Sequence, residues 1–232
     1  MAEMTPIRVA FLLFPNVTQL DLTGPAQVLS RLGNATIDLV AKDMEPVMTD
    51  AGFALLPTTT LAEAVMPDIL CVPGGFGVND AIEDAATLDW VRRTGESATW
   101  VTSVCTGSII LGAAGLLRGY RATTHWAQHH LLAAFGAIPV HERVVFDRNR
   151  VTGGGVTAGI DFGLALTAAI RGEAHARLVQ LGLEYDPSPP FDSGNPARAD
   201  ADTITRYEAL AAKAAPGRDE RTLAAAAQLG EG

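Results

Sequence analysis

Short, nearly continuous apolar runs alternate along this chain with longer stretches in which apolar residues recur every three or four positions. The runs at 7–13 (IRVAFLL), 35–40 (ATIDLV), 68–72 (DILCV) and 99–104 (TWVTSV) predict strands covered on both faces. Helices are expected over 24–32, 84–93, 106–114, 126–135, 157–170 and 173–183. Turn signals at Asp50-Ala51-Gly52 and Arg148-Asn149 predict hairpins over 47–56 and 143–152. Buried strands separated by helices predict an α/β fold with a mostly parallel sheet. In such folds ligands gather beyond the carboxyl ends of the strands. Asp21, the Gly74-Gly75 pair and Cys105 all follow predicted strands, so they are the first candidates for a site.

From about residue 185 the pattern breaks. The stretch YDPSPPFDSGNPARADAD is rich in Pro and acid and predicts no regular structure. Two short helices are expected behind it, over 203–212 and 219–229. The chain therefore divides into a catalytic domain over 1–186 and an extension over 187–232 that packs on it or on a second subunit. With 232 residues, 48% of them hydrophobic, there is enough material for one sizeable core.

Charge narrows the possible partners. The net charge of −9 and the lack of a basic run argue against nucleic acid. No apolar stretch approaches the ~20 residues of a membrane span, and no secretory leader precedes residue 7, so a cytoplasmic protein is expected. Two cysteines make no disulfide framework.

Cys105 stands between a strand and a helix start, in TSVCTGS. A thiol there would face the unpaired N–H groups of a helix N-terminus, which favour the thiolate and predict a lowered pKa. The ordinary alternative is a buried core cysteine. Cys71 lies inside an apolar strand and reads as structural. Asp21, flanked by Leu20 and Leu22, is either a proton carrier for the thiol or the N-cap of the helix over 24–32, a place Thr23 could also fill. Pro73-Gly74-Gly75-Phe76-Gly77 lacks the spacing of a phosphate loop. It reads as bare backbone that could aim N–H groups at a charged intermediate, or as a plain turn.

His125 and His129 could share a helix face, but no third ligand follows at a telling distance, although His141 and Glu142 come later. No metal is expected. Thr106 follows Cys105, where a Cys-His hydrolase would need its imidazole, so amide hydrolysis is disfavoured.

The segments FPNVTQLDLTGPAQVL, DILCVPGGFG, VTSVCTGSIILGAAGLLRGYRATTHW and VTGGGVTAGIDFGLAL resemble the ThiJ/PfpI family of the class I glutamine amidotransferase-like superfamily. The resemblance runs from about residue 7 to 185. It implies a flavodoxin-like three-layer sandwich with a cysteine nucleophile elbow, assembled as a homodimer. It makes Cys105 the nucleophile and Asp21 its essential carboxylate. Thr106, Gly75 and Gly154 become substrate-binding positions, with the Gly153-Gly154-Gly155 turn beside the site. The Cys-Thr pair, the Asp in QLDLTGP and the EYDPSPPFDSG tail look most like the isonitrile-hydrating members. That implies addition of water to a small isonitrile through a thioimidate on Cys105, giving an N-substituted formamide with no cofactor.

Two other readings follow from the same resemblance. The domain also fronts AraC-type regulators, which implies a ligand sensor. Those regulators carry a basic DNA-binding half, whereas the residues after 185 here are Pro- and Ala-rich and not basic. Other relatives are carbonyl- or oxidative-stress proteins, but they generally carry Glu at the position of Asp21 and often His beside the cysteine.

Overall fold

The computed structural model describes residues 4–230. The first half runs β1 (Ile7–Leu12), α1 (Gln19–Leu29), β2 (Ala35–Ala41), β3 (Val47–Met48), β4 (Ala54–Leu55), β5 (Thr59–Thr60), β6 (Ile69–Val72), α2 (Val78–Glu83) and α3 (Ala85–Ser97). Then come β7 (Trp100–Val104), α4 (Gly107–Ala113), β8 (Arg121–Ala122), a 3-10 helix (Trp126–Phe135) and β9 (Ile138–Pro139). The chain continues with β10 (Val144–Asp147), β11 (Arg150–Gly153), α5 (Ala158–Arg171), α6 (Glu173–Gly182), α7 (Ala201–Ala214) and α8 (Arg218–Gly230).

Seven strands form the main sheet in the order β10-β11-β7-β6-β1-β2-β5. All neighbours pair in parallel except β10 with β11. Helices cover both faces: α1, α5 and α6 pack together on one, and α2, α3, α4, α8 and the 3-10 helix on the other. This is the flavodoxin-like three-layer sandwich with a mostly parallel sheet. Double coverage explains why Val9, Ala10, Phe11 and Leu12 are all buried in β1, and Ile69 through Val72 in β6. Because the central strands run in parallel, the ends of β1, β6, β7 and β11 open on one edge, where the candidate site lies.

The helix expected over 24–32 starts at Gln19 instead, so Asp21 lies in its first turn and not in a loop. Gly24-Pro25 looks like a helix start because proline suits the first helical position. Here Pro25 is interior and has no N–H to give to the carbonyl of Asp21. Close packing fixes this arrangement: a Cβ on Gly159 of α5 would come within 2.9 Å of Pro25. The stretch over 126–135 is 3-10 rather than α, so His125 and His129 do not share an α-helical face. Strand β5 and helix α2 also lie outside the expected elements.

The last two helices pack against the body. Asn79 of α2 donates to Arg218 O at 3.0 Å and to Thr222 Oγ1 at 3.1 Å, while Arg221 pairs with Asp80 and Glu83. Thr222 and Ala226 are buried on the inner face of α8.

Candidate active site

Three segments meet at the carboxyl edge of the sheet. After β1 the chain bends back, and Thr18 N–H donates to Gly74 O at 3.0 Å, which ties the start of α1 to the turn after β6. Gly74 N–H in turn donates to Asp21 Oδ2 at 2.9 Å, with Asp21 fully buried. No larger residue fits at Gly74, because a Cβ there would lie 2.4 Å from Thr106 Oγ1 and 2.9 Å from Asp21 Oδ2.

Cys105 follows β7 directly and lies in the left-handed region, with φ of 54°. This is uncommon for a residue with a side chain and costs about 1–2 kcal/mol. The turn is held from three sides. Cys105 N–H donates to Gly153 O at 3.1 Å, and Cys105 O accepts from Thr124 Oγ1 at 2.9 Å and Ser108 Oγ at 3.2 Å. Thr124 was not singled out in the sequence, although it stands in the TTHW motif. At this reversal the Cys105 thiol is near enough to the Asp21 carboxyl for each to shift the other's hold on its proton.

Both members of this pair hold protons tightly. Burial raises Asp21 from its ordinary 3.8 to about 7, aided by the nearby Asp50 carboxylate. The Gly74 N–H and the Cys105 thiol act the other way. Asp21 Oδ2 is satisfied by Gly74, whereas Oδ1 is buried with no hydrogen-bond partner among the described residues. Burial also pushes the Cys105 thiol well up, and the charge of Asp21 adds to that. The Thr106 N–H and hydroxyl pull down. The low-pKa thiol expected from the helix N-terminus is thus not what the structure has: desolvation outweighs the two hydrogen bonds. The pair titrates as a unit that retains a proton near neutrality.

A cavity of about 240 Å3 opens beside the sulfur, with Cys105, Thr106, Gly75, Gln128 and His125 in its walls. Gly75 N–H is already donated to Thr106 Oγ1 at 3.1 Å, so it is not free for an intermediate. Gly154 stays off the cavity wall, and its N–H is spent on Arg143 O. Val156 takes that side instead.

The extension supplies part of the far wall. Tyr207 of α7, Ala215 and Arg218 of α8 all face the cavity. Tyr207 stacks on His125 and Trp126, with ring centroids 5.8 and 5.2 Å apart. The polar, proline-rich composition ahead of these helices gave no sign of this. His125 is neutral near pH 7: burial and Arg218 lower its pKa to about 4. Its Nδ1 accepts from Ala127 N–H, which leaves the proton on Nε2. His129 turns away to Val140 O and stacks on His141.

The chain is 53% identical to isonitrile hydratase of Pseudomonas putida over 96% of its own length and 98% of that protein. A ThiJ/PfpI family protein from Pseudomonas syringae, solved by crystallography, superposes with a TM-score of 0.91 at 45% identity, over 97% of this chain and 92% of that one. The HTH-type transcriptional regulator CdhR of Pseudomonas aeruginosa is 29% identical over 75% of this chain but only 53% of the regulator. The sequence signature of the DJ-1/PfpI family matches residues 7–169, which hold β1, the Gly74 turn, the Cys105 elbow and the Gly153 strand. With fold, elbow and sequence in agreement over most of its length, the chain belongs to the DJ-1/PfpI family.

Proposed function

We propose that this protein is an isonitrile hydratase that adds water to R–N≡C and releases R–NH–CHO. The observation that carries the reading is its end-to-end likeness to a curated isonitrile hydratase. The paired Cys105 and Asp21 beside a small cavity support the chemistry.

In this mechanism Asp21 takes the thiol proton as sulfur attacks the terminal carbon. It returns that proton to the same carbon, which gives R–N=CH–S–Cys105. Water then adds to the carbon, and the C=N pair collects on nitrogen, which is protonated. The C–S bond breaks with its electrons on sulfur, and the hydroxyl proton restores the thiol. Carbon receives the thiol's proton, and nitrogen and sulfur share the two from water. Nothing leaves through nitrogen, so no imidazole is needed to protonate a leaving group. Thr106, bonded to Gly75 and in contact with the sulfur, keeps the thiolate solvated by the protein during attack.

On the same reading the protein is a cytoplasmic homodimer. Exposed apolar side chains on the β3–β4 hairpin, Met48, Phe53 and Leu56, support a second copy seated there. No helix among the described residues is long and apolar enough to cross a membrane.

The likeness to CdhR favours a sensing role as the second reading. A peroxide- or carbonyl-responsive thiol is less well supported, because Asp21 and Thr106 stand where such relatives generally carry Glu and often His. Incubation with a simple isonitrile separates these readings. A hydratase releases formamide over many turnovers, whereas a sensor retains the isonitrile unchanged at one per site. Absence of formamide would overturn the proposal.

A further inference from the structure

Three polar side chains are buried in the cavity wall: Asn79, Thr106 and Gln128. Asn79 gives its amide to Arg218 O and Thr222 Oγ1, and Thr106 accepts from Gly75. The Gln128 carboxamide bonds to none of the described residues, and its Oε1 is buried without a partner although the residue is only 6% exposed. Native proteins seldom leave such a group unpaired, because it forfeits its hydrogen bonds to water and gains none in return. Its backbone is fixed, since Gln128 N–H donates to His125 O at 2.9 Å. Gln128 therefore lines the space that also holds Cys105, with its amide oxygen buried and unpartnered at the wall.

A carboxamide offers two donors on one end and an acceptor on the other, and rotation by half a turn exchanges them. The proposed reaction contains an atom whose needs change in that way. In R–N=CH–S–Cys105 the nitrogen has a lone pair and accepts a hydrogen bond. Once water has added and the nitrogen is protonated, the same atom donates one. Among the groups that border the cavity with Gln128, His125 Nε2 can only donate near neutrality, and the Thr106 hydroxyl already accepts from Gly75.

We propose that Gln128 binds the nitrogen of the covalent intermediate and promotes its hydrolysis. The inference rests on the hydratase reading above. The N–H of Gln128 stabilises negative charge gathering on nitrogen as water attacks carbon. Its carbonyl then accepts the new N–H while the C–S bond breaks. Gln128 has no part in the first step, in which carbon and sulfur join.

Q128M keeps the length of the side chain and removes both hydrogen-bonding ends. It is expected to lower kcat at least tenfold with little change in the rate of adduct formation. Intact-protein mass spectrometry during turnover should then find the protein heavier by one isonitrile, a species scarce in the wild type. Q128E retains a donor and an acceptor only while its carboxyl is protonated. Its activity relative to the wild type at the same pH is expected to be highest at acidic pH and to fall as pH rises, a descending limb the wild type lacks. Circular dichroism of both variants checks the fold, and the pH dependence of Q128E reports the role even if Q128M folds poorly. Unchanged kcat in Q128M, or a raised KM alone, would overturn the inference and leave the hydratase intact. A wild-type protein that makes no formamide would overturn both.

Discussion

The two cysteines lie one strand apart, and both are buried, at 2% and 6% exposure. Cys71 sits in the middle of β6, opposite Thr102 of β7, with its sulfur 2.9 Å from the Thr102 hydroxyl. Its thiol is pushed up to about 12 by burial, against the pull of the Thr102 hydroxyl. Cys105 is also held protonated, but beside it stand a carboxyl that can take the proton, a backbone N–H, a hydroxyl and an open cavity. Burial therefore does not separate a structural thiol from a reactive one. What separates them is whether a proton acceptor and room for a second reactant are built in.

That contrast is broken most sharply by deleting each sulfur in turn. C105A should lose turnover by a factor on the order of 10³ or more, as expected when a nucleophile is removed. C71A should retain turnover within a few-fold and lose about 1 kcal/mol of stability from the small void left between β6 and β7. Formamide chromatography and urea unfolding test the pair together. Comparable activities in the two variants would end the assignment of Cys105 as nucleophile.

The second difference is the carboxyl, and here stability and activity should pull apart. Asp21 titrates at about 7 when folded and ordinarily at 3.8. The folded state thus holds this proton more tightly than the unfolded chain does. Stability is greatest below the unfolded value, falls as pH rises from about 4 to about 7, and levels off above that. A shift of this size is worth at most about 4 kcal/mol. D21N cannot ionise, so it should be more stable than the wild type at pH 8 by roughly 1–4 kcal/mol and gain little at pH 4. The same variant should lose turnover on the order of 10²-fold or more, within the span expected for a lost general base. The kcat/KM of the wild type should rise with pH through the region near 7 as Asp21 ionises and becomes able to take the thiol proton. Parallel stability curves for D21N and the wild type would show that Asp21 carries no buried-charge penalty.

The parts of this site that could be read from sequence were those governed by local pattern. Continuous apolar runs marked β1, β6 and β7 because strands buried on both faces have little choice of residue. The placement of Cys105 at a strand-to-helix turn followed from the same runs. The start of α1 did not, because Pro25 mimicked a helix boundary and only its contact with Gly159 shows why it is tolerated within the helix. The ten residues from Trp126 carry apolar spacing that α and 3-10 helices share over so short a span. The direction of the thiol shift depended on how completely the site is desolvated, a property of packing that no spacing records. Arg218 stands at the cavity where α8 is pinned to α2 by contacts of Asn79 and Arg221 that span more than a hundred positions, and Tyr207 of α7 is placed there by its stack on His125 and Trp126. Gln128 carries no motif signal: it is a single polar residue among the histidines and apolar residues of HWAQHH.

The smallest effect concerns backbone shape rather than chemistry, and it should reverse sign between the two cysteines. Cys105 has φ of 54°, whereas Cys71 is in an extended strand. Alanine at 105 keeps a Cβ in the left-handed region and the strain that goes with it. Glycine removes that strain but gains freedom in the unfolded chain, worth about 0.4–1 kcal/mol against folding. The balance favours glycine, so C105G should exceed C105A in stability by about 0.5–1 kcal/mol. At Cys71 there is no strain to relieve, and C71G should fall below C71A by about 0.5–1 kcal/mol. Urea midpoints of the four variants decide the matter. If C105G were instead the weaker of its pair, the elbow would be unstrained, and the hydrogen bonds from Thr124 and Ser108 would be ordinary turn contacts rather than a clamp on the nucleophile.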